Sequence, residues 1–293
     1  MLKQMKVWLS LASVLSLLVL LGACSKSETT EPAANTSTAS ETYKSTGNEG
    51  TVSGSIAFAG TPAPPKKIDS SADPVCGQRN PNLTTEDTVV KDGKLANVFV
   101  YIKDGTTADG KKIASLAFDV PAEAATLDQN GCHYKPHILG VQANQKVRIT
   151  NSDPTQHNIH PTPKVNPEWN QTQANGAAPI EKTFARPEVL IPVKCNQHPW
   201  MKAYIGVMKS PFYAVSAEDG SFTIKGVPPG TYTVAAWHEK GGAAGTEKTM
   251  QVTVPAKGDV KADFSFGDAA TASGRPGLEM MPALEIPVVT GRH

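Results

Sequence analysis

Four side chains in two short stretches of the chain carry donor atoms that bind soft metal ions. Cys195, His198 and Met201 follow one another at Cys-x-x-His-x-x-Met spacing, and His157 lies earlier, at the end of an alternating strand pattern. A thiolate, two imidazoles and a thioether are the donors of a trigonal copper site with a long axial methionine bond. The sequence therefore predicts one type 1 copper ion held by His157, Cys195, His198 and Met201.

Some alternatives for these donors stay open. His160 follows three positions after His157, and the two imidazoles would point to opposite faces of an extended strand. Taken singly, Cys195 could be a buried thiol, His198 a surface histidine and Met201 a filler of the apolar core. The prediction of a metal site depends on their occurrence together.

Sequence patterns that other copper and haem proteins need are absent from the chain. There is no His-x-His pair, which excludes a trinuclear copper cluster. Asn196 follows Cys195, so the Cys-His pair that would connect this copper to a second, catalytic copper is missing. There is no Cys-x-x-Cys-His for haem, and a single cysteine in the ligand loop argues against a two-copper centre. Because protein donors fill every position, none is left for a substrate, and we expect an electron carrier and not an enzyme.

The first residues have the pattern of an export signal. Lys3 and Lys6 flank an apolar run at 7–21, and Leu-Gly-Ala-Cys closes it at Cys24. This ending resembles the lipobox of bacterial lipoproteins, which implies a signal peptide over 1–23 and a lipid on Cys24. The mature chain would then be tethered outside the cytoplasm, at the periplasmic face of an outer membrane or at the cell surface. An ordinary signal peptide or a single membrane anchor is the alternative, although the run is short for a spanning helix.

The other cysteines and the overall charge narrow the class of protein. With Cys24 assigned to lipid and Cys195 to metal, Cys76 and Cys132 are left as a candidate disulfide in an exported chain. Two buried thiols are the alternative, since the sequence does not show that the two are close. Lys and Arg total 28 against 27 Asp and Glu without a basic run, so we expect no nucleic-acid partner.

Short alternating runs indicate strands through most of the chain. Apolar residues alternate with other residues in segments bounded by Gly, Pro, Asn and Asp, for example at 52–58, 98–102 and 232–236. No long stretch has a helical period, so the predicted fold class is all-β. Residues 24–49 are rich in Ser, Thr, Glu and Ala and are predicted to form a flexible stalk, and the tail at 267–293 has no assigned role.

Several segments resemble the carboxypeptidase regulatory-like, or transthyretin-like, β-sandwich family. The motifs are a Gly-x-Val-x-Gly strand at 50–54, an Asn-Val-x-Val strand at 97–100, and Asp-Gly-Ser-Phe-Thr-Ile followed by Pro-Pro-Gly-Thr-Tyr within 219–232. These pieces lie on both sides of the ligand motifs. We therefore predict one smaller sandwich that is interrupted by a second domain.

The predicted boundaries are 50–112 and 209–266 for the discontinuous sandwich and 113–208 for the inserted domain. Two consecutive domains are the simpler alternative. The inserted block resembles the cupredoxins, especially the plastocyanin-like and amicyanin-like members, in its Asn-x-Asp strand end before His-Asn and in its short Cys-x-x-His-x-x-Met loop. This resemblance implies a Greek-key β-sandwich.

The cupredoxin resemblance also implies a role for each ligand. Cys195 would be the thiolate that dominates the electronic coupling to copper, His198 the imidazole nearer the surface, and Met201 the weak axial donor. His157 would complete the plane, and its context matches the family better than that of the later histidine. The backbone N–H of Asn158 would bond to the thiolate sulfur and tune the potential.

Other histidines are less informative. His133 and His137 lie near Cys132, where a second metal site, a surface for a redox partner and a polar strand edge are all open. His238 could approach the copper loop across a domain interface. His293 is terminal and predicts nothing.

The features together favour a membrane-tethered electron carrier whose partner is a redox protein. A copper-buffering or copper-delivery lipoprotein would use the same ligands in an exchangeable site. A carbohydrate-binding or surface-binding module is a third possibility, since the Phe-x-Ile and Pro-Pro-Gly-x-Tyr pattern also resembles a β-sandwich domain of polysaccharide lyases.

Overall fold

Strands make up nearly all of the regular structure in the computed structural model, which describes residues 41–240 and 245–267. The first strands are β1 (Glu41–Thr42), β2 (Gly50–Phe58), β3 (Val90–Lys91), β4 (Lys94–Leu95), β5 (Phe99–Thr107), β6 (Leu116–Ala117) and β7 (Ala125–Gln129). The next are β8 (Tyr134–Lys135), β9 (Ile138–Gln142), β10 (Lys146–Asn151), β11 (His157–Pro161), β12 (Gln171–Gln173), β13 (Ile180–Thr183) and β14 (Glu188–Lys194). The last are β15 (Lys202–Met208), β16 (Tyr213–Val215), β17 (Ser221–Val227), β18 (Gly230–His238), β19 (Thr246–Val254), β20 (Asp259–Lys261) and β21 (Phe264–Phe266). Two short helical segments are α1 (Pro74–Arg79) and a 3-10 turn (Ile113–Ser115). The predicted all-β class is confirmed.

The strands of the described residues form four larger sheets. Two of them have the orders β13-β10-β7-β8 and β12-β11-β14-β15-β9, and both draw on residues 125–208. The other two have the orders β16-β5-β18-β19 and β17-β2-β4-β3, with β20 and β21 paired to β2. Their strands come from 50–107 and 213–266. Strand pairing therefore groups the middle of the chain apart from its two flanks, while the domain boundaries stay a prediction.

The first pair of sheets encloses the apolar core that ends at the ligand loop. Alternate residues point inward because side chains alternate along a strand, so Val147 and Ile149 of β10 belong to the same buried cluster as Ile205 of β15. Burying such a side chain fully contributes about 1.5–3 kcal/mol. Cys195 and Met201 belong to this cluster, which makes the core a rigid support for the candidate ligands.

Another buried cluster joins the two pairs of sheets. Phe99 on β5 packs against the glycines of β9 and β15, and a Cβ added at Gly206 would lie 2.6 Å from its ring. A Cβ at Gly140 would lie 2.4 Å from the ring of Tyr213. Glycine at these two positions is what allows the aromatic side chains to approach the sheet so closely.

The stalk predicted at 24–49 differs from the structure in its last part. The backbone N–H of Tyr43 donates to Ala117 at 2.8 Å, and its ring lies 5.7 Å from that of Phe118. Tyr43 has a large side chain that can bury apolar area. The chain is therefore packed on the folded structure from β1 onward. The predicted signal peptide at 1–23, the lipidation site Cys24, the start of the stalk and the tail after 267 lie outside the described residues.

Within the described part of the chain, no helix has the length and hydropathy needed to cross a bilayer.

Candidate metal centre

One tight loop between β14 and β15 carries three of the four predicted ligands. β14 and β15 pair antiparallel up to Lys194 and Lys202, so the loop begins and ends at neighbouring points. The N–H of Met201 donates to the carbonyl of His198 at 2.9 Å, and the N–H of Cys195 donates to the carbonyl of Met201 at 3.3 Å. These bonds fix the loop on the end of the core.

Strand β11 brings His157 to the same place. Its pairing with β14 sets the segment that begins at His157 beside Cys195. The Nδ1 atoms of His157 and His198 lie 2.9 Å apart, and the Sγ of Cys195 lies 3.5 Å from the Nδ1 of His198. Donor atoms of the three residues all lie within 4.8 Å of one another.

These separations suit a single metal ion. Two donors at about 2.0–2.3 Å from one ion, with an angle of about 100–120° between them, lie about 3–3.7 Å apart. The measured spacings of 2.9 and 3.5 Å are close to that range. Met201 is fully buried, and its carbonyl accepts the N–H of Cys195 at 3.3 Å, so the residue lies at this end of the core.

Both imidazoles are oriented by a carboxylate on the opposite ring nitrogen. The Nε2 of His157 lies 3.0 Å from Asp153 Oδ2, and the Nε2 of His198 lies 2.9 Å from Asp73 Oδ2. A carboxylate only accepts, so each Nε2 carries the proton and donates it. Each Nδ1 is thereby the ring nitrogen that faces a metal ion, and an ion that binds there would displace any proton on it, as in metal sites where a carboxylate fixes the ligating histidine.

The carboxylate of Asp73 comes from a separate segment that is linked to the site by a disulfide. Asp73 caps α1 by accepting the N–H groups of Val75 and Cys76 at 2.8 and 3.2 Å. Cys76 is bonded to Cys132 with an S–S distance of 2.02 Å, as the sequence suggested. Asp153 accepts the N–H of Cys132 at 2.8 Å, so both carboxylates lie next to the same disulfide.

The cupredoxin resemblance places His198 nearer the surface than His157, and the difference in the structure is small. His198 is 4% exposed and His157 is 0% exposed. Asp73 covers the Nε2 of His198, and the ring of Trp200 packs 5.1 Å from its ring. The imidazole edge that the resemblance leaves open is therefore covered in this chain.

The thiol sulfur has polar partners on Asn158. The backbone N–H of Asn158 lies 3.5 Å from Cys195 Sγ, the contact that the resemblance implies. Its side-chain Oδ1 lies 3.2 Å from the same sulfur and accepts the N–H of Asn196 at 2.6 Å. These contacts fix the direction of the sulfur and connect the two ligand-bearing segments.

Charge in the centre favours a thiolate. Burial raises the pKa of the Cys195 thiol, but hydrogen bonds with His157 and His198 outweigh it and lower the pKa to about 6. Burial lowers the pKa of His157, whereas its hydrogen bonds with Asp153 and Cys195 raise the pKa to about 9. At neutral pH the sulfur is therefore ionised, which is the form of cysteine that binds metal ions.

His160 and His238 lie outside this cluster. Both ring nitrogens of His160 are bonded, to Asn196 Oδ1 at 3.0 Å and to Glu168 Oε1 at 2.6 Å. His238 is buried against Phe266 at 5.8 Å between ring centres, and it does not belong to the donor group.

Sequence reasoning missed Asp73 and Asp153 as parts of the site. Asp73 has a local signal as a helix cap, because Asp followed by Pro is typical of a helix start. Asp153 stands four residues before His157 in the strand-end motif. The contact between Asp73 and His198 has no local signal, because 125 residues separate them.

Comparison with known proteins gives partial similarities. A family model described as polysaccharide lyase family 4, domain II, matches residues 196–262, and no curated protein sequence matches the chain. A purple cupredoxin from Nitrosopumilus maritimus is 21% identical over 28% of this chain and 98% of its own, with a TM-score of 0.25. Amicyanin from Paracoccus versutus is 18% identical over 37% of this chain and 96% of its own, with a TM-score of 0.27. A copper-containing nitrite reductase from Thermus scotoductus is 19% identical over 31% of this chain, with a TM-score of 0.28, and the match spans 24% of that protein.

Proposed function

We propose that this chain binds one type 1 copper ion and carries single electrons between redox proteins. The observation that supports the proposal is the convergence of donor atoms of His157, Cys195 and His198 within 4.8 Å of one another, in a buried site. A thiolate with two imidazoles is the donor set of a type 1 copper site.

The side chains around the site would keep the donors rigid during electron transfer. His157, Cys195 and His198 would hold the copper, with Met201 as the axial donor. Copper bound there would accept and release one electron by changing between Cu(II) and Cu(I). The carboxylates on the two Nε2 atoms keep the rings in one orientation, and the buried loop excludes water. The same donor geometry can then serve both oxidation states.

Burial favours a carrier over a copper-delivery protein. Cys195, His198 and Met201 are 2%, 4% and 0% exposed, so an incoming chelator or acceptor protein would have little access to the donors. An electron can cross a covered site, whereas an ion cannot leave without opening it. We propose that the redox partner docks over Trp200, which is partly exposed and packs on the ring of His198.

A lipid on Cys24 would tether this carrier to a membrane outside the cytoplasm. The proposal comes from the Leu-Gly-Ala-Cys ending of the export signal. The Cys24→Ser variant should lose incorporation of labelled fatty acid and leave the membrane fraction. Retention of label and of membrane association in that variant would contradict the tether.

A glycan-binding role is a second candidate for the part of the chain at 196–262, because the family model that matches there is described as a polysaccharide lyase domain. Such a role predicts retention on immobilised polysaccharide that does not change when copper is removed. Elution of the full chain with unretained protein would exclude it for the polysaccharides tested.

Visible spectroscopy of the copper-loaded chain tests the main proposal. Cu(II) bound by a cysteine thiolate should give an intense charge-transfer band, and Cys195→Ser should abolish it. His160→Ala is the matched control, because His160 lies close by with both nitrogens bonded elsewhere, and it should keep the band. A full chain that binds Cu(II) at one equivalent without colour would refute a type 1 site.

A further inference from the structure

A small cavity beside the ligand loop is lined by histidines and carboxylates that the copper centre does not use. Its volume is about 140 Å³. Its walls come from separate parts of the chain and include Glu86, His133, His137, Trp200, Lys202 and Glu239. Because Trp200 also packs on His198, this cavity lies next to the candidate copper centre without sharing a ligand with it.

The imidazole of His137 is held in the manner of a metal ligand. Its Nε2 lies 2.5 Å from Glu239 Oε1, and the hydroxyl of Tyr204 donates to the other oxygen of that carboxylate at 3.1 Å. The carboxylate accepts the Nε2 proton, which leaves the Nδ1 lone pair free. The Nδ1 is buried without a hydrogen-bond partner in the described structure, and the side chain is only 7% exposed.

One carboxylate lies near this nitrogen and also near a second imidazole. Glu86 Oε2 is 3.8 Å from the Nδ1 of His137 and 3.4 Å from the Nδ1 of His133. Both separations are close to the spacing of about 3–3.7 Å between two donors on one ion. The three donor atoms do not all lie within 4.8 Å of one another, so binding would have to draw the two imidazoles together. The carboxylate of Glu86 is 36% exposed.

We propose that His133, His137 and Glu86 form a second metal site, which binds one divalent ion of the borderline class such as Zn²⁺. Two imidazoles and a carboxylate suit such an ion, and no thiolate is present to select Cu(I). Glu239 is a positioning residue, because it acts on the ion through the ring of His137. The site does not depend on copper at Cys195 or on electron transfer.

Zinc stoichiometry tests this site in the full chain carrying Cys195→Ser, which disables the candidate copper centre. Calorimetric titration with zinc chloride should show one equivalent fewer in His133→Ala and in Glu86→Gln than in the Cys195→Ser parent. His160→Ala is the matched control, since that histidine also pairs with a glutamate but has both nitrogens bonded. It should keep the parent stoichiometry. Equal zinc stoichiometry in the parent and in both cavity variants would overturn the proposal.

A second measurement separates binding from an effect on folding. Glu239→Gln should weaken zinc binding at this site about 10–100-fold, the usual cost of losing the carboxylate behind a ligating histidine. In the parent, zinc should shift the ring resonances of His133 and His137 in NMR spectra. Unmoved resonances of both rings at saturating zinc would overturn the proposal, whatever colour the copper-loaded wild-type chain shows.

Discussion

Replacing Asp73 with Asn tests whether the carboxylate behind His198 orients that ligand. Asp73 Oδ2 lies 2.9 Å from His198 Nε2 and accepts the hydroxyl of Thr155 at 2.9 Å, while Oδ1 accepts the N–H groups of Val75 and Cys76. An amide has a single acceptor oxygen. Asn can therefore accept either from the N–H groups that begin the helix or from His198. Its NH₂ group then faces the donors that lose their acceptor.

The expected effect is larger on metal affinity than on stability. Asn and Asp cap helices about equally well, so a side chain that keeps the cap changes the unfolding free energy by less than about 1 kcal/mol. The ring of His198 then loses its acceptor. Loss of such an acceptor weakens metal binding about 10–100-fold, which corresponds to about 1.4–2.7 kcal/mol. The affinity for Cu(I) should fall by this factor in Asp73→Asn.

Competition with a chromophoric Cu(I) chelator measures this change, and thermal unfolding of the metal-free protein measures the change in stability. Asp69→Asn is the matched control. Asp69 accepts the N–H of Ser71 at 3.0 Å in the same segment, but it is exposed and does not bond to His198. If the two variants bind Cu(I) with the same affinity, the reasoning about Asp73 is refuted.

Three further predictions concern the disulfide, the thiol and the junction between the sheets. Replacing Cys76 and Cys132 with Ala opens a loop with a sequence separation of 56. The free energy of unfolding should fall by about 4 kcal/mol and Tm by about 8–16 °C. A shift in Tm below about 3 °C in calorimetry would contradict this prediction. In the metal-free protein, the ultraviolet absorbance of the Cys195 thiolate should appear as pH rises through about 6, and in His157→Gln the midpoint should move up toward about 8.5. Gly206→Ala places a Cβ 2.6 Å from an aromatic ring and should destabilise the fold by about 1–3 kcal/mol in denaturant titration.

The strands were predictable because their signal is local. Residues that alternate at 222–224 lie in β17, and those at 232–236 lie in β18. The six-residue helix α1 is too short for a helical period, although Asp73 before a proline is a start signal. The ordered segment after Glu41 was missed because its composition resembles that of a flexible stalk and one aromatic residue, Tyr43, anchors it.

The candidate site was predictable only in part, because only some of its contacts are local in the sequence. Cys195, His198 and Met201 share one loop, so their spacing in the sequence reflects their spacing in the fold. The approach of His157 depends on the pairing of β11 with β14, which the sequence indicated only through the cupredoxin resemblance. The acceptors on His198 and His137 lie 125 and 102 residues away from them, and contacts of that kind leave no pattern in the chain.

Three of the described histidines share one arrangement, which is common to the two candidate sites. In His157, His198 and His137 a carboxylate lies on Nε2, and Nδ1 faces inward. Such an acceptor fixes the tautomer and raises the basicity of the nitrogen that can bind a metal. At the first two rings Nδ1 lies near the sulfur of Cys195, which favours copper, whereas at the third the opposing donor is the oxygen of Glu86, which favours a harder divalent ion. The same local chemistry therefore predicts two metal sites of different preference, and exchange of Cys195 for a carboxylate should shift the first site from copper toward zinc.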